Sequence, residues 1–583
     1  MKTTLRKHIF AFFLTFALLI TAGLQNVFGQ APDPGAPGPE AVTREEYNFG
    51  DTAFQPSNFP GPVELLASIH YPTALAGPYP VIIFLHGRHA TCFKGGSQLL
   101  QWPCTTNGSQ PIPSYQGYDY VSQVLASHGY VVVSISANGV NAVDNAVFDL
   151  GALARAELIQ KHLDILKGFN TTGGAPFGTK FVGKFDLTRV GTMGHSRGGE
   201  GVVKHYVLNN SLGAPYGVKA VFPLAPVDFN RFVVNNAALN VMLPYCDGDV
   251  SDLQGVHFYD DARYNVAGDQ APKHYELVMG ANHNFFNTVW TPATSPFPGA
   301  ANDWLAFVPG GHSDSHCGSG PGNQRLTDAQ QRGAGLAYLT AFFRAYVGGE
   351  SQFIPILTGD APPPASAQTN ALFVSYHAPS GLRLDVNRLL NDTNLTVNTL
   401  GGAATQTALT PYELCGSGAP PANKCLPDQL NAQQPHTTPS ARSNAPGMSQ
   451  LKTGWNDITG NYRNNVPATL GNVSGFQAVQ FRVSVNFADV RNLEGLAQDF
   501  RVVLTDAGGG SASVRVSDVS SALFFPPGEV APVPKVVLNT VRIPLSAFSG
   551  VNLNAVRSVQ FTFNERLQGA VLITDVAFAS APQ

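Results

Sequence analysis

The pentad Gly194-His195-Ser196-Arg197-Gly198 constrains the fold of this chain more than any other segment. An apolar, strand-like run ending at Met193 precedes it, and apolar residues with helical spacing follow it between positions 200 and 208. A serine in this setting is typical of a nucleophile elbow, in which the two glycines let neighbouring chains pass close to a strained turn. The pentad therefore predicts a serine nucleophile between a buried strand and a helix.

Three other segments have the order that such a site requires, with an oxyanion loop before the serine, then an acid, then a histidine. The run Tyr79–Leu85 is continuously apolar, which favours a buried parallel strand, and Gly87 and Arg88 follow it closely. A second apolar run, at 239–245, leads to an aspartate-rich turn at 247–252. A short strand at 275–279 leads to His283, which we interpret as the catalytic base.

The segments Gly-His-Ser-Arg-Gly-Gly and Gly-Ala-Asn-His-Asn resemble those of the α/β-hydrolase superfamily, and the likeness extends over roughly residues 44–348. Within it they are similar to secreted bacterial esterases, lipases and polyester hydrolases related to dienelactone hydrolases. The resemblance implies an α/β fold with a mostly parallel sheet flanked by helices. It also implies hydrolysis of carboxylic esters through an acyl-enzyme on Ser196, with His283 as the base and the backbone N–H groups of Arg88 and Arg197 as the oxyanion hole.

Four aspartates are candidates for the acid of the triad. In the family pattern the acid follows three positions after a small residue that ends the strand, and this spacing favours Asp249. Asp247 and Asp252 lie in the same turn and stay open as alternatives. Asp228 is a further candidate because some hydrolases carry the acid one strand earlier.

Arg88, Arg197, Phe285 and Trp290 are the candidate substrate-binding residues. Ser196 and Arg197 begin a Ser-Arg-x-Gly-x-Gly stretch similar to that of glucuronoyl esterases, which suits an acidic acyl group, whereas the aromatic residues suit an apolar one. The favoured alternative is a structural ion pair of Arg197 with Glu200 or Asp249, because buried arginines need carboxylates. A uronate-type carbohydrate esterase, a peptidase with the same triad and a catalytically silent binding protein stay open as functions.

The amino terminus predicts export. Positive residues precede an apolar run in the first 29 residues, which is typical of a signal peptide, and residues 30–42 are rich in Pro and Gly, as in a spacer. We therefore expect a secreted protein, extracellular or periplasmic, with no transmembrane segment in the mature chain.

Export permits disulfides, and the six cysteines are expected to form three. Proximity in sequence suggests the pairs Cys92–Cys104 and Cys415–Cys425, and Cys246–Cys317 then remains by elimination, among fifteen connectivities that the sequence allows. The His312, Asp314 and His316 cluster is interpreted as a polar loop. No metal and no cofactor are expected.

The length of 583 residues indicates more than one domain. We expect a catalytic domain over 43–358, a Pro-rich linker over 359–371 and, because short alternating strands follow, a β-sandwich over 372–583. The end of the chain resembles jelly-roll modules of the galactose-binding type, which implies carbohydrate as a partner beside a small or polymeric ester substrate. A net charge of −4 without a basic stripe disfavours nucleic acid.

Overall fold

A computed structural model describes residues 31–390, 394–416, 425, 449–487, 489–493, 495–524 and 537–583. The expected signal peptide and the first residue of the spacer lie outside this range. Pro34–Gln583 forms one compact unit apart from Met1–Asp33. None of the helices in the described segments is both long and apolar enough to cross a membrane.

The region predicted to be catalytic, called the catalytic region below, is built on a mixed nine-stranded sheet. Its strands are β1 Val42–Asn48, β2 Leu66–Pro72, β3 Tyr79–Leu85, β7 Val131–Ile135, β8 Phe185–His195, β9 Val218–Leu224, β10 Ala238–Pro244, β11 Lys273–Val278 and β12 Leu372–His377. Their spatial order is β1-β2-β7-β3-β8-β9-β10-β11-β12. The six strands from β7 to β11 in this order run parallel, and the outer strands pair antiparallel. A separate small sheet, in the order β5-β4-β6, is formed by β4 Cys92–Lys94, β5 Ser97–Leu99 and β6 Gln110–Pro111.

Helices cover both faces of the nine-stranded sheet. The α-helices of the described residues are α1 Asp119–Ser127, α2 Asn138–Val143, α3 Ala152–Thr171, α4 Arg197–Ser211, α5 Val256–Ala262, α6 Asp303–Phe307, α7 Asp328–Tyr346 and α8 Ile354–Thr358. Helices α3 and α4 pack in the hydrophobic core on one face, and α1 and α7 pack in the core on the other. A capping box between Thr327 and Gln330 fixes the start of helix α7.

Burial on two faces explains why β3 is apolar throughout. Val81, Ile83 and Leu85 belong to one core, whereas the alternate residues Ile82 and Phe84 belong to the other. Because successive side chains of a strand point to opposite faces, a central strand between two helical layers has no solvent-facing position. The continuous apolar run thus places β3 at the centre of the sheet, where its carboxyl end meets the serine loop.

The C-terminal region contains two antiparallel sheets that share one hydrophobic core. Their strands are β13 Arg383–Asn387, β14 Ala404–Thr407, β15 Tyr412–Cys415, β16 Gln450–Trp455, β17 Asn461–Asn465, β18 Ala478–Val485, β19 Arg501–Asp506, β20 Ser511–Arg515, β21 Asn539–Pro544, β22 Val556–Thr562 and β23 Gly569–Ala579. One sheet has the order β15-β16-β23-β18-β21 with β13 on β23, and the other has the order β14-β17-β22-β19-β20. The carbohydrate-binding jelly roll stays a prediction.

One strand that the sequence assigned to the β-sandwich lies in the nine-stranded sheet instead. Strand β12, which begins at the predicted start of the sandwich, pairs antiparallel with β11 and completes the nine-stranded sheet. The residues of this strand do not indicate which sheet it joins, because register and partner depend on long-range contacts. The first strand after the predicted linker thus belongs to the nine-stranded sheet.

Candidate active site

Ser196 lies on the turn between β8 and α4, as the sequence predicts for an elbow. Its φ of 59° and ψ of −124° are strained for a residue with a side chain, and its N–H donates to the Leu224 carbonyl at 2.9 Å. The serine is 3% exposed. Its oxygen therefore lies at the carboxyl edge of the sheet, in front of the first turn of α4.

Three glycines make this turn sterically feasible. A Cβ on Gly194 would overlap the carbonyl oxygen of Gly198, and one on Gly198 would lie 2.6 Å from the Leu85 carbonyl oxygen. A Cβ on Gly87 would lie 2.5 Å from the Cβ of Ser196. The loop after β3 thus contacts the serine directly, which is the position that an oxyanion loop needs.

Buried hydrogen bonds hold that loop. The His86 ring accepts from the Ala137 N–H through Nε2 at 2.8 Å, so its Nδ1–H donates to the Gly87 carbonyl at 2.9 Å. Asn141 donates to the same carbonyl. Burial lowers the pKa of His86 to about 3, and the ring is therefore neutral. The Gly87 carbonyl is fixed by two donors, and this orients the peptide that carries the Arg88 N–H.

His283 follows β11 and contacts two carboxylates. Its Nδ1–H donates to Asp247 Oδ2 at 2.8 Å, whereas Asp249 Oδ2 lies 3.6 Å from Nε2. The second distance is too long for a hydrogen bond. Asp249, the acid that the family spacing favours, thus contacts the nitrogen that has to face the serine, and its side chain is 51% exposed. The carboxylate at the orienting nitrogen is that of Asp247.

The turn after β10 explains this difference. Asp247 Oδ1 accepts the N–H groups of Asp249 and Val250, so the side chain closes its own turn and directs its other oxygen at His283. The other two aspartate candidates have different partners: Asp252 accepts hydrogen bonds from Gln254, and Asp228 accepts from the Arg231 N–H.

Asp303, on the first turn of α6, is a functional candidate that the sequence analysis missed. Its Oδ2 accepts the N–H groups of Gly248 at 2.7 Å and His283 at 3.0 Å, and its Oδ1 accepts that of Asn284 at 3.0 Å. One buried carboxylate therefore connects the turn after β10, which carries Asp247 (the acid turn), to the loop after β11, which carries His283 (the histidine loop). Burial raises the pKa of Asp303 to about 6, and the negative charge of Asp247 adds to this rise. The signal in the sequence is slight, since Asp303 resembles an ordinary first-turn acid.

Carboxylates determine the charge of His283. Burial lowers the pKa of the imidazole, but the charge and hydrogen bond of Asp247 outweigh this effect, and Asp249 and Asp303 add to it. The net result raises the pKa of His283 to about 9. The carboxylates around His283 thus favour the imidazolium, whereas the serine would need the neutral form as its base.

Arg88 and Arg197 form an ion-pair cluster on Asp144, which is fully buried. Arg88 Nε lies 3.0 Å from Asp144 Oδ1, while Arg197 Nη1 and Arg155 Nη2 lie 2.9 and 2.7 Å from Oδ2. An ion pair of Arg197 is thus present, as the favoured alternative expected, but its partner is neither Glu200 nor Asp249. Glu200 instead accepts backbone N–H groups of the loop after β9.

A cleft of about 180 Å³ opens beside the serine. It is lined by Arg88, Ser196, Arg197, Val227, Phe229, Asp249, Val250 and Gln254. Two predicted substrate residues are not among these. Trp290 is 1% exposed and stacks on His89, and Phe285 lies on the histidine loop outside the lining. Phe229, which the sequence analysis missed, supplies the aromatic wall.

Residues 104–294 match the family described as PETase: PET hydrolase-like. The matched segment includes the elbow, the aspartate turn and the histidine, but neither Arg88 nor the C-terminal sheets. The matching family is a polyester hydrolase family of the α/β-hydrolase superfamily, and the match supports an ester hydrolase in general terms. No curated protein matches the chain significantly.

The three expected cysteine pairs are bonded: Cys92–Cys104, Cys246–Cys317 and Cys415–Cys425. The second bond joins the residue before Asp247 to the segment after α6. Cys246, Cys317 and His316 lie close enough together to resemble a metal site, but the disulfide removes both thiolates as ligands.

Proposed function

We propose that this chain is a secreted serine ester hydrolase with Ser196 as nucleophile, His283 as base and Asp247 as the orienting acid. The observation that carries the proposal is the Asp247–His283 hydrogen bond at 2.8 Å behind a strained serine elbow. The match of residues 104–294 to a polyester hydrolase family supports ester substrates. The three disulfides support an oxidising compartment.

In the proposed reaction, Ser196 Oγ attacks the acyl carbonyl while His283 Nε2 takes the serine proton. Asp247 keeps the proton of His283 on Nδ1 and stabilises the imidazolium that forms. The N–H groups of Arg88 and Arg197 hold the oxyanion, and loss of one such donor typically lowers the rate about 10²–10³-fold. The imidazolium then protonates the leaving alcohol, and water releases the acyl group by the same route.

The test is hydrolysis of 4-nitrophenyl acyl esters and of a polyester film by the purified protein and by its Ser196→Ala variant. We expect the variant to lose at least about 10⁴-fold in kcat. Ser211→Ala, an exposed serine at the end of the same helix, serves as the matched control and should keep full activity. Covalent labelling of Ser196 by a fluorophosphonate, read by mass spectrometry, should fail only in Ser196→Ala. Unchanged hydrolysis by this variant would overturn the proposal.

A further inference from the structure

The arginine cluster beside the serine carries more positive charge than it neutralises. Three guanidinium groups, those of Arg88, Arg155 and Arg197, share the single carboxylate of Asp144. Their remaining polar contacts are with neutral groups: Asn141, Asn145 and the Leu150 carbonyl. The cluster of three arginines and one aspartate therefore carries a net charge of +2.

The two arginines of this cluster that line the cleft have unused hydrogen-bond donors. Arg88 uses only Nε and Arg197 only Nη1, so both terminal nitrogens of Arg88 and the Nε and Nη2 of Arg197 have no partner in the described part of the chain. Both side chains line the cleft with Ser196 and are only 29% and 16% exposed. Partly desolvated guanidinium donors of this kind suit a planar anion such as a carboxylate.

The position of the two arginines indicates which part of a substrate they would contact. Arg88 and Arg197 line the cleft together with Val227, Val250 and Phe229, which suit a short apolar spacer. Asp249 lines the same cleft but lies beside Nε2 of His283, the nitrogen that has to protonate the leaving alcohol, so it would repel an anion on the alcohol. The acyl group is therefore the part of a substrate that can present an anion to the two arginines.

We propose that Arg88 and Arg197 bind a carboxylate at the far end of the acyl group, so that the preferred substrates are half-esters of dicarboxylic acids. This inference rests on the proposed serine esterase function. The serine oxygen forms a bond to the acyl carbon as the bond to the alcohol oxygen breaks, and His283 transfers the serine proton to that alcohol. Water then releases a free dicarboxylate. Such half-esters are what an earlier cleavage of a longer polyester leaves.

The test compares two substrates whose acyl chains have equal length, mono-4-nitrophenyl glutarate and 4-nitrophenyl pentanoate. We expect the wild-type protein to favour the glutarate by about 10-fold in kcat/KM, the effect of one charge-assisted contact. Arg88→Met and Arg197→Met should each reduce this ratio toward 1, whereas Arg88→Lys should retain part of it. Arg189→Met, an exposed arginine paired with Asp186, is the matched control and should leave the ratio unchanged.

A second measurement needs no variant. Free glutarate should inhibit pentanoate hydrolysis competitively and more strongly than glutaramide, its diamide, which carries no carboxylate, and the difference should shrink at high salt. A wild-type ratio near 1, or Met variants that slow both esters equally, would overturn the carboxylate subsite while the esterase function stands. Hydrolysis that survives Ser196→Ala, or no hydrolysis of either ester, would overturn the esterase function and this inference together.

Discussion

At the scale of single residues, the two aspartates beside His283 have different positions and therefore different expected effects. Asp247 contacts Nδ1, where a carboxylate fixes the tautomer, whereas Asp249 lies 3.6 Å from Nε2, where a carboxylate stabilises only the imidazolium. In the resting protein Asp249 thus favours the form of His283 that cannot act as a base. The proposed mechanism requires this histidine to lose its proton before Ser196 can attack.

The pH dependence follows from the direction of this shift. Because the pKa of His283 is raised to about 9, we expect kcat/KM to increase with pH up to about that value. The same shift stabilises the folded protein fully below about pH 6.5, and this stabilisation is lost as the pH rises through about 9.

Asp249→Asn should move the acidic limb of the kcat/KM profile to lower pH by about 1, because it removes one negative charge near Nε2. Activity at pH 7 should rise several-fold.

The isosteric change Asp247→Asn should instead lower kcat roughly 10³–10⁴-fold at every pH, because the imidazole loses its orienting acid. Profiles between pH 5 and 10 on one neutral ester test both. The reverse outcome, a severe loss only in Asp249→Asn, would assign the acid to Asp249.

At the scale of elements, Asp303 joins two loops that follow different strands. The acid turn after β10 and the histidine loop after β11 are each short, and three backbone N–H groups from them converge on this one carboxylate. Helix α6 therefore positions the acid and the base relative to each other without contacting substrate, which makes Asp303 a positioning residue.

Asp303→Asn should reduce kcat about 10–100-fold with little change in KM. An amide presents one accepting oxygen, so at least one buried N–H would lose its partner, at a cost of about 1–3 kcal/mol. The acidic limb of the pH profile should also shift downward, because a negative charge near His283 is removed. A purely structural role would lower thermal stability without moving this limb. Asp328→Asn, which replaces the first-turn acid of α7, is the control and should change neither kcat nor the acidic limb of the pH profile.

The sequence predicts best those elements whose signal lies within one short run of neighbouring residues. The continuous apolar run of Tyr79–Leu85 is a buried strand with the predicted bounds. The choice between Asp247 and Asp249 could not be predicted, because it depends on which carboxylate closes the turn. The roles of Asp144 and Asp303 depend on donors from distant segments, so neither residue stands out in the sequence.

At the scale of the whole molecule, buried ion pairs attach the C-terminal sheets to the catalytic region. Arg482 on β18 lies 2.8 Å from Asp260 on α5, and Asp575 on β23 pairs with Arg263. All four side chains are buried, with exposures of 4% or less. Tyr275 also donates to the Leu538 carbonyl. An interface with buried charges tolerates little relative movement, because separation would leave them without partners.

Arg482→Ala should therefore lower the free energy of unfolding by about 3–5 kcal/mol, the usual cost of leaving a buried partner charge uncompensated. Arg501→Ala, which breaks the more exposed pair with Glu565 within the C-terminal sheets, is the matched control and should cost about 1 kcal/mol or less. Denaturant unfolding measured by tryptophan fluorescence and by loss of ester hydrolysis compares the two. For the wild type we expect both signals to change in one transition. Trp102, Trp290 and Trp304 report on the catalytic region and Trp455 on the C-terminal core, so a core that unfolds separately would give the fluorescence a second transition. Equal losses in the two variants would mean that the interface pair contributes no more than a surface ion pair.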